Sequence, residues 1–220
     1  MEKTFHISDR TVTAFLPEQP EGAAWLHAEP DEAAAVWARL PEARFALISV
    51  SGCDWNRDFS PWPAPRAFHG GEDFSGGAPA YLRLFAGELL PQTEALLALA
   101  PARRALAGYS LAGLFAVWAL TQTALFDRAA SVSGSMWYDG FADYLDAAQL
   151  PRAPERVYFS VGDREKLSRS PRLQLVEQGM ARAAARFSAL GVPTVCERNP
   201  GGHFDDPAGR TARALRCLFG

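Results

Sequence analysis

The stretch Leu106-Ala107-Gly108-Tyr109-Ser110-Leu111-Ala112-Gly113 constrains the fold more than any other part of the chain. A short, mostly apolar run, Arg104 to Ala107, meets a turn that carries Ser110. Beyond the turn, Leu111, Leu114, Phe115, Trp118 and Leu120 recur near helical spacing until Thr121 and Thr123 close the run. When a strand passes into a helix this abruptly, the backbones two residues before and two after the serine come together, and a large side chain at either place would clash. Gly108 and Ala112 are small enough. The pattern departs from Gly-x-Ser-x-Gly by one methyl group, since Ala112 holds the second small position and Gly113 follows it. Such a turn is a nucleophile elbow; the alternative is an ordinary Gly/Ser turn inside an α/β protein.

Composition narrows what surrounds the turn. With 220 residues and 48% hydrophobic content, the chain suits a single domain, residues 1–220, with one well-buried core. The formal net charge is -3 and no Lys/Arg cluster occurs, which argues against nucleic acid or an anionic membrane surface as a partner and leaves a small molecule. The opening Met1 to His6 lacks an apolar signal region, and no apolar run approaches the roughly 18 to 20 residues a membrane span needs, so a cytoplasmic protein is expected. Cys53, Cys196 and Cys217 are odd in number and widely spaced, and read as free thiols.

Along the chain, strands and helices alternate. Thr4 to Ile7 and Thr11 to Leu16 read as an opening hairpin, followed by strands at Ala24 to Ala28 and Phe45 to Val50. The elbow strand comes next, then strands at Arg128 to Val132, Val157 to Val161 and Thr194 to Glu197. The expected helices are Glu32 to Leu40 capped by Asp31, Ala78 to Leu99 with a kink at Pro91, the elbow helix, a long one from a Ser170 cap to Gly191, and Pro207 to Leu218. Ser51 to Gly77, rich in Trp, Pro and Gly, reads as one long loop of the sort that commonly carries function. This pattern predicts an α/β-hydrolase fold: a mainly parallel eight-stranded sheet, helices on both faces, and a ligand beyond the carboxyl ends of the strands.

A serine hydroxyl is a poor nucleophile near neutral pH, so it requires an imidazole to take its proton and a carboxylate to orient that imidazole. In this fold the chain order is Ser, acid, His. His203 lies in the glycine-rich loop Asn199-Pro200-Gly201-Gly202-His203-Phe204, directly after the last strand, and is the candidate base. The competing readings are a surface histidine or a weak metal site with Asp205 and Asp206, but one His and two Asp fall short of a zinc ligand set. No metal is expected. His6 belongs to the hairpin and His69 to the long loop, where both read as structural or solvent-facing. Two carboxylates, Asp163 and Glu165, follow the seventh strand, and either could reach His203. The backbone N–H of Leu111 and one from Glu29 or Ala28, after the third strand, are the expected oxyanion donors. Trp55, Trp62 and Trp137 are candidate pocket walls, and Arg57 a candidate contact for an anionic part of the substrate, its competing role being an ion pair with Asp58.

Several segments resemble the putative-esterase group of α/β-hydrolases, which includes esterase D-like and enterochelin esterase-like enzymes. They are Trp25-Leu26-His27 in the third strand, Arg57-Asp58-Phe59-Ser60-Pro61, Glu88-Leu89-Leu90-Pro91 before the elbow, and Ser133-Gly134-Ser135-Met136-Trp137-Tyr138 after the sixth strand. The departures are Ala112 for the usual Gly and Gly134 for the usual Pro. The resemblance implies hydrolysis of carboxylic esters with no metal or organic cofactor. It also favours Glu165, three residues beyond Gly162, as the acid over Asp163. The reading is thus a serine esterase working through an acyl-enzyme, with Ser110 as nucleophile, His203 as base and Glu165 or Asp163 as acid. A thioesterase or amidase would use the same residues, and a non-catalytic relative would have lost one of them.

Overall fold

The order of the strands follows from where the sequence changes from a tight turn to helical crossovers. A turn at Ser8-Asp9 joins β1 (Glu2–Ile7) to β2 (Arg10–Phe15), which therefore pair antiparallel. After β3 (Gly22–His27), α1 (Pro30–Trp37) carries the chain across to β4 (Phe45–Ser51), parallel to β3 and antiparallel to β2. The chain continues through α2 (Trp55–Asp58), a small ribbon of β5 (Pro63–Ala64) and β6 (Phe74–Ser75), and α3 (Ala78–Leu84) and α4 (Leu90–Leu96). Then come β7 (Arg104–Tyr109), α5 (Ser110–Ala119), β8 (Arg128–Val132), α6 (Phe141–Ala147), β9 (Arg156–Gly162), α7 (Val176–Ala189), β10 (Thr194–Asn199) and α8 (Pro207–Phe219). This computed structural model describes residues 1–67 and 70–220. The main sheet runs β1-β2-β4-β3-β7-β8-β9-β10, parallel from β4 onward.

Helices cover both faces. On one, α1 and α8 pack together over Ala105, Ala107, Ala130 and Tyr158 through Ala33, Val36, Leu215 and Leu218. The other face buries Trp25, Ile48, Leu106 and Phe159 beneath α3 to α7. Strands covered on both sides read as continuous apolar runs, and β4 and β8 are buried along their whole lengths. All the parallel strands therefore end at one rim, to which β7, β9 and β10 deliver their following loops.

The eight-stranded α/β-hydrolase fold expected from the pattern is present, with shifts that have local causes. The first helix is capped at Glu29 rather than Asp31: Pro30 occupies its first position, and the Glu29 N–H donates to the Glu32 carboxylate at 3.1 Å. The break in the Ala78–Leu99 helix begins before Pro91, as a π-helical turn at Phe85–Leu89 in which the Leu90 N–H reaches the Phe85 carbonyl. The long helix starts at Val176, not at Ser170; the Leu173–Leu175 segment before it is a 3-10 turn. Its other end is as expected, with Gly191 at φ 76°. The Ser51–Gly77 segment carries α2 and the β5–β6 ribbon, which are too short to leave a periodic signal. His69 lies outside the described residues.

Candidate active site

Ser110 begins α5 directly from β7 and holds φ at 55°, a left-handed conformation that L-residues with a side chain rarely adopt. The turn is closed enough that a Cβ on Gly108 would stand 2.2 Å from the backbone carbon of Ala112. Glycine is therefore obligatory at 108. A Cβ on Gly113 would stand 2.8 Å from the Gly108 carbonyl, so the second tight position is 113, and the Ala112 methyl is accommodated. That is why the chain tolerates Gly-x-Ser-x-Ala. As the second residue of α5, Leu111 has a backbone N–H with no acceptor within the helix.

The histidine loop comes up beside this turn. His203 Nε2 lies 3.1 Å from Ser110 Oγ, and its Nδ1 lies 2.8 Å from Glu165 Oε2. The other oxygen of that carboxylate accepts the Gly162 N–H at 2.6 Å. Burial pushes the Glu165 carboxyl up, but hydrogen bonds from the His203 ring and from Gly162 outweigh it and hold it below the usual carboxylate range. Asp163 faces elsewhere: its Oδ1 accepts the N–H of Gly201, which itself sits at φ 100°, and so ties the β9 loop to the histidine loop. Of the two carboxylates, Glu165 is the one in contact with the imidazole. Asp205 accepts the Gly202 N–H at 2.7 Å, and Asp206 caps α8 through the Gly209 N–H at 3.1 Å. Among the described residues no cluster of His, Cys, Asp and Glu has the makings of a metal site.

Two further residues brace the histidine, and neither was singled out from the sequence. Arg210 on α8 is almost wholly buried and donates to Glu165 Oε1 at 3.3 Å, Ser133 Oγ at 3.0 Å and the Pro200 carbonyl at 2.8 Å. The Tyr109 hydroxyl donates to the His203 carbonyl at 2.5 Å. A signal for Arg210 was available: it lies four residues before Ala214 and eight before Leu218, on the apolar stripe of an amphipathic helix, where an arginine is buried only if it is paired.

Among the described residues, three depressions that meet at Ser110 stand out. A groove of about 570 Å³ runs between α1 and α8, past Ala28 and His203. A cleft of about 310 Å³ lies between Trp137 and the β9 loop, again with His203 in its wall. A slot of about 80 Å³ lies between Trp55 and Trp137, over Leu111 and Ser135. A larger hollow of about 650 Å³, at Phe45, Arg103 and Phe219, lies at the opposite, amino end of the strands and contains none of these groups.

The remaining candidates divide. Trp55 and Trp137 line the depressions, whereas Trp62 packs on Tyr138 and Tyr144 with its Nε1–H on the Asp139 carbonyl, and lines none of the three. Arg57 also lines none of them and pairs with Asp58 at 2.8 Å, the competing role foreseen for it. Ala28 backs the groove, its carbonyl accepting from Ser49 Oγ at 2.7 Å, while the N–H of Glu29 is held by Glu32. His6 sits on the hairpin beside Thr11.

Comparison with known proteins identifies the family and the fold. A family model described as "Putative esterase" matches residues 35–206. The chain belongs to the putative esterase family. The uncharacterized protein YbbA of Bacillus subtilis is 30% identical over 137 residues, which is 61% of this chain and 54% of YbbA, so the match spans about half of that relative. Among solved structures, an IroE-like serine hydrolase from Shewanella oneidensis superposes with a TM-score of 0.82 at 16% identity, covering 100% of this chain and 80% of that one. The siderophore hydrolase EstA from Aspergillus nidulans gives 0.78 at 17% identity, covering 99% and 93%. At these identities the likeness establishes the α/β-hydrolase fold. Among the described residues no helix of this esterase-family chain is long and apolar enough to cross a membrane.

Proposed function

We propose that this chain is a serine esterase that cleaves carboxylic esters of small molecules through an acyl-enzyme, with Ser110, His203 and Glu165 as its catalytic residues. One observation carries the reading: Ser110 Oγ, His203 and the Glu165 carboxylate form a continuous hydrogen-bonded line, 3.1 Å and 2.8 Å long, at the crest of a strained elbow. Ser110 Oγ attacks the ester carbonyl as its proton passes to His203 Nε2, and Glu165 stabilises the imidazolium that forms. The oxyanion lies against the Leu111 N–H and a second N–H from the loop after β3, from Ala28 or Glu29. Recruiting Glu29 requires breaking its bond to Glu32. His203 then returns the proton to the departing alkoxide, and a water activated by the same imidazole hydrolyses the acyl-serine.

The buried, ionised Glu165 supports this assignment, since a carboxylate that stays charged beside the ring favours the imidazolium in the transition state. Fluorophosphonate labelling with peptide mapping, alongside hydrolysis of p-nitrophenyl acetate, tests the proposal. A single adduct at Ser110, lost together with turnover in Ser110→Ala, is the expected result. Labelling at another serine, or undiminished turnover by Ser110→Ala, would overturn it.

A further inference from the structure

We infer that the site is built for esters of a short acyl group with a bulky, apolar alcohol, an inference that rests on the triad reading above. The tetrahedral carbon bonded to Ser110 Oγ carries three other groups: the oxyanion, the acyl substituent and the leaving oxygen. His203 must reach the leaving oxygen to protonate it, so the alcohol lies on the side of Ser110 that His203 occupies and the acyl substituent lies away from it. Of the three depressions that open on Ser110, the groove and the cleft have His203 in their walls and the slot does not. The acyl group therefore enters the slot, between Trp55 and Trp137. At about 80 Å³ it has roughly a quarter of the cleft's room and a seventh of the groove's. The smallest of the three spaces takes a short acyl group such as acetyl or propionyl.

The alcohol has two places to go, and their size separates them. Each sets two charged residues, Arg164 and Glu165 in the cleft and Asp31 and Glu32 in the groove, beside an apolar wall that in the groove includes Ala35 and Ala208. At about 570 Å³ the groove has nearly twice the room of the cleft, at about 310 Å³, and is the one that takes a bulky alcohol. Phe204 is 82% exposed, with its ring edge-to-face on His203 at 5.0 Å. A large hydrophobe left open to water beside His203 gains by being covered, and since Phe204 lines both the groove and the cleft, it favours an apolar alcohol in either.

Two ester series read the two arms separately. In acetates of methanol, butanol and octanol the acetyl-enzyme is common, so kcat/KM reports the alcohol; p-nitrophenyl acetate, butyrate and octanoate report the acyl group. The alcohol series should rise up to about fourfold per added methylene until the groove is full, and the acyl series should fall beyond propionate. Ala208→Phe or Ala35→Phe, which narrow the groove, should flatten the first series, and Trp137→Ala, which opens the slot, should relieve the fall in the second. Fluorophosphonate capture by Ser110 in each preparation reports an intact elbow. A rising acyl series, a flat alcohol series, or slopes that none of these variants alters would overturn the assignment while leaving the triad standing. Absence of both capture and turnover in the natural chain would overturn the triad and the specificity together.

Discussion

Arg210 meets Glu165 at 3.3 Å on the carboxylate oxygen opposite the one that faces His203, and both side chains are almost entirely buried. The same guanidinium reaches the Tyr109 hydroxyl at 3.4 Å, and that hydroxyl holds the His203 carbonyl. α8 thus grips His203 by two routes, through the Glu165 carboxylate and through the backbone carbonyl of His203 itself. An uncompensated buried charge is costly, so removing one partner of such a pair typically destabilises by about 3 to 5 kcal/mol. Arg210→Met should show that loss in urea unfolding and, per titrated active site, a lower kcat with KM little changed; Arg210→Lys should recover part of the rate. Normal turnover per titrated Ser110 in Arg210→Met would reduce Arg210 to a purely structural element.

Glu165 and Asp163 should separate cleanly. Glu165→Gln removes the charge that favours the imidazolium and leaves one acceptor oxygen for the donors of His203, Gly162 and Arg210, so it should lower kcat/KM per titrated active site by up to about 10⁴-fold and also lower stability. Asp163→Ala frees the Gly201 N–H and should chiefly lower stability, by about 1 to 2 kcal/mol. The value of kcat/KM per titrated active site separates the pair; an Asp163→Ala defect as deep as that of Glu165→Gln would mean that the loop bond, not the charge, governs His203.

At the elbow, Gly108→Ala places a methyl group 2.2 Å from backbone atoms of Ala112, a clash that only movement of β7 or α5 could relieve. Loss of soluble folded protein is the expected outcome. Ala112→Gly, which restores the commoner spacing, should instead cost only about 0.5 to 1 kcal/mol, from the greater freedom of glycine in a helix. Circular dichroism melts compare them, and a Gly108→Ala protein that melts like the natural chain would contradict the packing described here.

What was legible in the sequence follows periodicity and local stereochemistry. The inner strands β3, β4, β7, β8 and β9 showed as apolar runs because burial on both faces leaves no polar alternation, whereas the edge strands β1 and β10 are largely exposed and showed only as short β-favouring runs; Ser110, His203 and the Asp163/Glu165 pair showed because glycines beside a strand end mark a loop at the rim. Choosing between the carboxylates from residues alone was not possible, since it depends on Gly162 and Gly201 bringing two loops together across β9 and β10. Trp62 and Arg57 were indistinguishable from pocket residues because their partners, Asp139 and the Asp58 that also pairs with Arg10, are set by tertiary contacts. Helix starts misled where a proline or a 3-10 turn moved the first turn by several residues, as at Val176.

Backbone strain at the nucleophile yields a separate expectation. A φ of 55° costs an ordinary L-residue roughly 1 to 2 kcal/mol that glycine does not incur. Ser110→Gly should therefore be inactive and about 1 kcal/mol more stable than the natural chain, whereas Ser110→Ala, which keeps a Cβ, should gain little from this source. Urea midpoints for the three proteins decide it. A Ser110→Gly protein less stable than Ser110→Ala would show that the turn is not strained at this residue.

His27, at the end of β3, should make the fold sensitive to mild acid. Its ring is buried among Phe59, Tyr81, Phe85 and Phe115, with Nε2 2.7 Å from the Tyr81 hydroxyl and Nδ1 without a partner. Burial pulls its pKa down from 6.5 to about 3; the Asp58 carboxylate pulls it up and the Arg10 guanidinium pushes it further down, neither by as much as burial. The folded state thus keeps His27 neutral where the unfolded chain takes up a proton. Stability from this group is complete above 6.5 and falls as the pH drops from 6.5 toward 3, by up to about 1.4 kcal/mol per pH unit. Between pH 6.5 and 5 the loss should be about 2 kcal/mol. In His27→Phe the ring no longer titrates, the aromatic surroundings accept the substitute, and the Tyr81 hydroxyl retains its contact with Cys53 Sγ at 3.4 Å. Urea midpoints at pH 7, 6 and 5 should fall more steeply for the natural chain than for His27→Phe, whatever offset separates them at pH 7. Parallel declines would mean that His27 is protonated in the fold, and the cause of acid sensitivity would have to be sought at another group.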